Sequence, residues 1–166
     1  MRAAGGIPIV LPLDEKTGFE VNAKSLNAAV TSRTRAILFN TPHNPTGHVA
    51  TPREMAAVAK VAIEHDLVVI SDEVYEGCIY PGAPAPHTTM ASVAGMRDRT
   101  LTIGSSGKLF SCTGWRVGWA VGAADLVKGV STARSFTSFC APTPLQEAVA
   151  KMLDAEQGEF DGIPGR

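Results

Sequence analysis

Residues 51–76 read TPREMAAVAKVAIEHDLVVISDEVYE, and the order of signals along them decides the fold. Thr51-Pro52-Arg53-Glu54 puts threonine at a helix N-cap, proline at the first helical position and glutamate at the third, which is a capping box. Met55, Val58, Ala59, Ala62 and Ile63 then recur at helical spacing, so this helix should lay one apolar face on a sheet. Leu67 to Ser71 follows as a short, nearly continuous apolar run, which suits a strand covered on both faces. That run stops abruptly at Asp72-Glu73-Val74-Tyr75-Glu76.

The same alternation extends outward. Ile7–Leu11, Arg35–Asn40, Thr100–Gly104 and Val117–Gly122 are further strand-like runs. Thr143-Pro144-Leu145-Gln146 repeats the start signal, with Thr143 as N-cap, before a helix reaching about Ala155. Strands alternating with helices predict an α/β domain, a three-layer α/β/α sandwich on a mostly parallel sheet.

Composition sets the outer bounds. At 166 residues, with 45% apolar and 19% charged residues, the chain can bury a real core as one domain. A net charge of −1 makes no electrostatic case for nucleic acid or an anionic membrane as partner. No apolar run approaches the roughly 20 residues that cross a bilayer. Three scattered cysteines, Cys78, Cys112 and Cys140, suggest neither a disulfide framework nor a metal site. A reducing, cytoplasmic setting is the expectation.

Three polar clusters each begin where an apolar run ends: Asn40–Gly47, Ser71–Glu76 and Gly104–Lys108. Ligands of open parallel sheets bind beyond the carboxyl ends of the strands, so the clusters should converge on one edge. Asn40-Thr41-Pro42-His43-Asn44-Pro45-Thr46-Gly47 is too rich in proline, glycine and asparagine for helix or strand; it is a rigid turn that aims one side chain, or merely a tight connection. Asp72 ends a buried strand, where a carboxylate needs a cation or several donors; it either caps the following turn or meets a cationic ligand. Lys108 lies among small residues just past a strand, where desolvation would favour the neutral amine that forms a Schiff base. Lys16, Lys24, Lys60, Lys128 and Lys151 fall instead in polar or helical surface patterns. The Ser105 and Ser106 hydroxyls with Arg116 could hold a dianionic phosphate. A nucleotide P-loop is excluded, because Thr102 stands where its first glycine belongs and Leu109 follows the lysine. His43, His48, His65 and His87 read as surface or structural histidines.

Taken in order, NTPHNPTG, SDEVYE and SSGKLFSCTGWRVGW resemble the fold-type I, pyridoxal-phosphate-dependent aminotransferases of class I and II. The likeness runs from about Gly5 to the end of the chain. It is greatest toward the branch holding kynurenine, glutamine-phenylpyruvate and N-succinyldiaminopimelate aminotransferases. The resemblance implies pyridoxal 5′-phosphate as cofactor and transfer of an amino group from an L-amino acid to a 2-oxo acid. It implies catalytic roles for Lys108, Asp72 and Tyr75. Lys108 would form the Schiff base and then shuttle a proton, and Asp72 would hold the pyridinium proton. Asn44 and Tyr75 would donate hydrogen bonds to the ring oxygen, and Ser105 and Arg116 would bind the phosphate. Gly107 is assigned no contact.

The same resemblance implies that residues 1–166 are part of the large, cofactor-binding domain of a homodimeric enzyme. The family's leading segment, with its ring-stacking aromatic, and its carboxy-terminal small domain have no counterpart in the sequence. Among arginines after Arg116, neither Arg134 nor Arg166 lies in the context of the family's substrate-carboxylate clamp. The chain on its own is therefore expected to be inactive. Two other functions compete with transamination: a pyridoxal-phosphate-dependent carbon–sulfur β-lyase, and a non-catalytic remnant.

Overall fold

The computed structural model describes residues 2–83 and 85–155. Helix α1 (Ala23–Ala29) leads to strand β1 (Ala36–Asn40), helix α2 (Pro52–Glu64) and strand β2 (Val68–Asp72). Strand β3 (Thr100–Ser105) runs directly into a single helical turn, α3 (Ser106–Leu109). Strand β4 (Gly118–Gly122) and helices α4 (Ala124–Ser135) and α5 (Thr143–Asp154) complete the order. The four strands form one sheet in the order β1-β2-β3-β4. β1, β2 and β3 are mutually parallel, and β4 returns antiparallel to β3. The α/β class and the mostly parallel sheet follow the reading of the sequence.

The capping box forms as the sequence requires. Thr51 Oγ1 accepts from the Glu54 amide at 3.3 Å, and the Thr51 amide donates to Glu54 Oε2 at 2.8 Å. Glu54 does more than cap. Its carboxylate, 3% exposed, also takes the Val21 amide at 2.8 Å and His48 Nε2 at 2.9 Å, joining three stretches of chain at one point. Burial alone would raise the Glu54 pKa, but the hydrogen bonds from Thr51, Val21 and His48 outweigh it and hold the carboxyl below the ordinary glutamate range.

Behind that cap, α2 buries Met55, Val58, Ala59 and Ala62 against Phe39 of β1 and Val69 of β2. Val61 is buried as well, whereas Ile63 is 45% exposed. The apolar stripe is therefore rotated from the one expected, and Ile63 lies at its flank against Gly95. Val58, Ala62, Val69, Met90 and Met96 retain no exposed surface. Each fully buried valine or methionine among them contributes about 1.5–3 kcal/mol. A second, smaller cluster gathers Phe110, Val117 and Val149 with Trp115, Trp119 and Leu145, tying α5 to the turn that follows β3.

Two expectations are corrected. Ile7–Leu11 is not a strand: it pairs with neither edge of the sheet, and Ile7, Ile9 and Val10 are 77%, 66% and 82% exposed. An apolar run needs a ladder partner to become a strand, and among the described residues it finds none. Thr143 is not an N-cap: the helix starts on it, Pro142 occupies the cap, and no side chain caps the end. Gln146, which would complete a capping box, donates to the Ala141 carbonyl instead. Coverage of β2 is also uneven. Val69 and Ser71 are buried, while Val68, Ile70 and Asp72 on the alternate face are only half-buried.

Candidate functional site

The three polar clusters meet beyond the carboxyl ends of β1, β2 and β3. In the turn after β1, both Thr41-Pro42 and Asn44-Pro45 are cis, and Asn44 is exposed at its tip. Asn44 Nδ2 donates to the Tyr75 hydroxyl at 3.2 Å, which joins the first cluster to the second. Lys108 Nζ lies over the Tyr75 ring, 5.4 Å from its centroid, which joins the second to the third. A cation over an aromatic face is attracted by the ring quadrupole. One tyrosine thus fixes the relative positions of an amide and an amine that are far apart in sequence.

Asp72 is half-buried at the end of β2. Among the described residues its Oδ1 accepts only a long contact, 3.4 Å, from the Val74 amide. That is too stretched to make capping the purpose of the carboxylate. Among the described residues Asp72, Lys108 and Arg116 form no ion pair with protein. Three such charges around one strand-end region suit a ligand with a cationic ring, an aldehyde and a phosphate, the parts of pyridoxal 5′-phosphate.

Lys108 is carried on α3, which springs from β3 without a connecting loop. Two contacts staple this turn to residues 112–117. Cys112 Sγ donates to the Ser106 carbonyl at 3.2 Å, and Thr113 Oγ1 donates to the Gly107 carbonyl at 2.9 Å. A Cβ at Gly107 would stand 3.0 Å from the Thr113 backbone, so glycine permits this approach. Arg116 then adopts a left-handed conformation, φ 57°, and stands exposed. A non-glycine residue held at positive φ stores strain and clusters at functional sites.

The two serines before the lysine differ. Ser105 is half-buried and its hydroxyl makes no side-chain hydrogen bond among the described residues. Ser106 is fully buried, and its hydroxyl donates to the Val117 carbonyl at 2.7 Å. Ser106 is thus a structural staple, which corrects its place among the phosphate candidates. Of the arginines considered for a carboxylate clamp, Arg134 lies exposed in the last turn of α4, and Arg166 lies outside the described residues.

One feature of the site went unread in the sequence. Glu73, 1% exposed, accepts from Ser71 Oγ at 2.7 Å, His87 Nε2 at 2.9 Å, the Met90 amide at 3.0 Å and Thr89 Oγ1 at 3.1 Å. Burial alone would raise its pKa, yet the bonds from His87, Met90, Ser71 and Thr89 prevail and hold it below the ordinary glutamate range. Glu76 goes the other way. Burial, opposed by His87 and assisted by Glu73, pushes its carboxyl up. The alternation of Ser71 and Glu73 on one side of the strand end was a usable signal; His87, far along the chain, gave none. His48 on Glu54 and His87 on Glu73 are structural, as expected. Among the described residues, the rings of His43 and His65 bond to Thr46 and Asn27 respectively.

The family model described as aminotransferase class I and II matches residues 1–162. A probable N-succinyldiaminopimelate aminotransferase of Mycobacterium tuberculosis is 46% identical over 92% of the chain. Kynurenine–oxoglutarate transaminase 3 of Rattus norvegicus is 39% identical over 99% of it. The chain spans 38% and 39% of the lengths of these two relatives. Among solved structures, the M. tuberculosis N-succinyldiaminopimelate aminotransferase superposes with a TM-score of 0.82 at 46% identity, over 90% of this chain and 38% of that one. An aromatic aminotransferase of Pyrococcus horikoshii gives 0.87 at 39% identity, over 94% and 41%. The chain belongs to the class I and II aminotransferases.

Proposed function

We propose that residues 1–166 form part of the large, cofactor-binding domain of an aminotransferase that moves an amino group from an L-amino acid to a 2-oxo acid. The observation that carries this reading is the meeting of three strand ends at Tyr75, with Asn44 on its hydroxyl and Lys108 over its ring. Pyridoxal 5′-phosphate, the cofactor of the family, supplies an electron sink for the substrate α-carbon.

Each residue then has a task set by its position. Lys108 offers the amine that would hold the cofactor, and once free it moves a proton at the substrate carbon. Asp72, which has no strong side-chain partner among the described residues, would hold the proton on the ring nitrogen by charge. Asn44 and the Tyr75 hydroxyl would donate toward the ring oxygen. Ser105, whose hydroxyl makes no side-chain hydrogen bond among the described residues, and exposed Arg116 would bind the phosphate. A homodimer in the cytoplasm is the proposed setting. The three free cysteines are consistent with it, and among the described residues no helix is long and apolar enough to cross a membrane.

The test is spectroscopic. The chain is mixed with pyridoxal 5′-phosphate, then with L-kynurenine or L-glutamate, then with 2-oxoglutarate. A new visible band is the expected result; the amino acid should leave it unchanged in this chain by itself, and should bleach it, with the oxo acid restoring it, in a protein that carries these residues at the family's full length. A band that never forms would overturn the cofactor reading. A band that forms and does not respond in that longer protein would restrict this chain to holding the cofactor. Pyruvate and ammonia released from a cysteine conjugate without any oxo acid would favour a lyase.

A further inference from the structure

We propose that Asn40 is a positioning residue that couples the Asn44 turn to Asp72, so that one amide sets two of the groups that would face the cofactor ring. The inference rests on the cofactor reading above. Asn40 is the last residue of β1, half-buried, and stands directly across the ladder from Asp72. Its Nδ2 donates to the Asp72 carbonyl at 2.9 Å, and its Oδ1 accepts from the Asn44 amide at 2.8 Å. The amide can face only one way, because the Asp72 carbonyl only accepts and the Asn44 N–H only donates.

Both arms matter because of what their partners lack. Among the described residues, the Asn44 amide makes no hydrogen bond other than this one. The backbone bonds that close the turn, His43 N–H to the His48 carbonyl and Gly47 N–H to the His43 carbonyl, pass around Asn44 rather than through it. Pro45, next in the chain, has no N–H to contribute. Asp72 is held on the other arm, where its carbonyl takes the Thr41 amide at 3.1 Å as well as Asn40. A continuous line of contacts thus runs from Asp72 through Asn40 and Asn44 to Tyr75 and Lys108. A strand-ending asparagine that served only the sheet would need neither arm, since the backbone ladder already pairs Asn40 with Asp72.

The experiment uses the two arms separately. Asn40→Ala removes both, and Asn40→Asp keeps the acceptor for Asn44 while losing the donor to Asp72. Amide hydrogen exchange on the cofactor-free chain should show Asn44 exchanging about tenfold faster in Asn40→Ala, the equivalent of one lost hydrogen bond, and near the parent rate in Asn40→Asp. The Val69 amide reports folding; if Asn40→Ala loses its protection, the smaller change Asn40→Ser replaces it. With pyridoxal 5′-phosphate bound, the pH midpoint of the visible band should rise by about half a unit in Asn40→Ala. That rise should be absent when Asn40→Ala is added to Asn44→Ala, because Asn40 acts through Asn44. A merely structural asparagine would lower stability and leave the midpoint where it was. Unchanged Asn44 exchange, or midpoint shifts that add, would overturn the proposal. If the parent chain binds no pyridoxal 5′-phosphate, the cofactor reading fails, and the exchange rates decide the positioning role by themselves.

Discussion

Asp72 and Glu73 are consecutive carboxylates at the end of β2, and their surroundings are opposite. Glu73 turns toward Ser71 and Met90, is 1% exposed, and accepts four hydrogen bonds. Asp72 stands half-buried on the other side, and among the described residues its carboxylate has one contact, of 3.4 Å. A carboxylate that is fully satisfied inside the fold has nothing left to offer a ligand. One that is held in place at its backbone, with its oxygens almost unused, is available. The strand's alternation places two chemically similar residues in separate surroundings, one that serves stability and one whose proposed duty is chemistry.

Substitutions at the two positions should therefore fail in different assays. Measured in a protein that carries these residues at the family's full length, Asp72→Asn should slow the amino-acid-driven bleaching of the cofactor band about a hundredfold or more, since a neutral amide cannot hold the ring proton by charge. Its melting temperature should stay near that of the parent. Comparable rates in the two proteins would reduce Asp72 to a turn residue. Glu73→Ala should do the reverse, lowering stability by about 3 kcal/mol as His87, Ser71, Thr89 and the Met90 amide lose their acceptor. Urea denaturation measures this, and a loss under about 1 kcal/mol would mean that the network adapts.

Acid should sharpen the contrast. Glu73 and Glu54 have folded pKa values depressed below the ordinary glutamate range, so the unfolded chain protonates them first. The stability they contribute is complete above that range, about pH 4.3, and is lost as pH falls through their lower folded values. Glu76 has a raised pKa, so ionising it opposes the fold as pH climbs from the ordinary value through the folded one. The smallest effect belongs there: Glu76→Gln should raise the melting temperature slightly at pH 7 and not at pH 3. A loss of stability at pH 7 would show that the ionised Glu76 has a partner that outweighs its burial.

The sequence made the strands and the site legible to different degrees. β2 and α2 could be read because their signals are local: a capping box, a helical stripe, an apolar run. The convergence of Asn44, Tyr75 and Lys108 could be read because each follows a strand end and parallel strands share an edge. Ile7–Leu11 misled because a strand is defined by its neighbour, and no pattern within five residues reveals whether a neighbour exists. Ser106 misled for a related reason. Its hydroxyl is spent on Val117, eleven positions away, and only the fold brings the two together. The Glu73–His87 pair and the two arms of Asn40 are long-range in the same sense.

The central claim is that the strand-end cluster singles out Lys108 among the six lysines of the chain. The chain is saturated with pyridoxal 5′-phosphate, reduced with borohydride and digested, and the labelled peptide is sequenced. The account predicts label on Lys108, with Lys16, Lys24, Lys60, Lys128 and Lys151 unmodified. Label on any of those five, with Lys108 untouched, would contradict it.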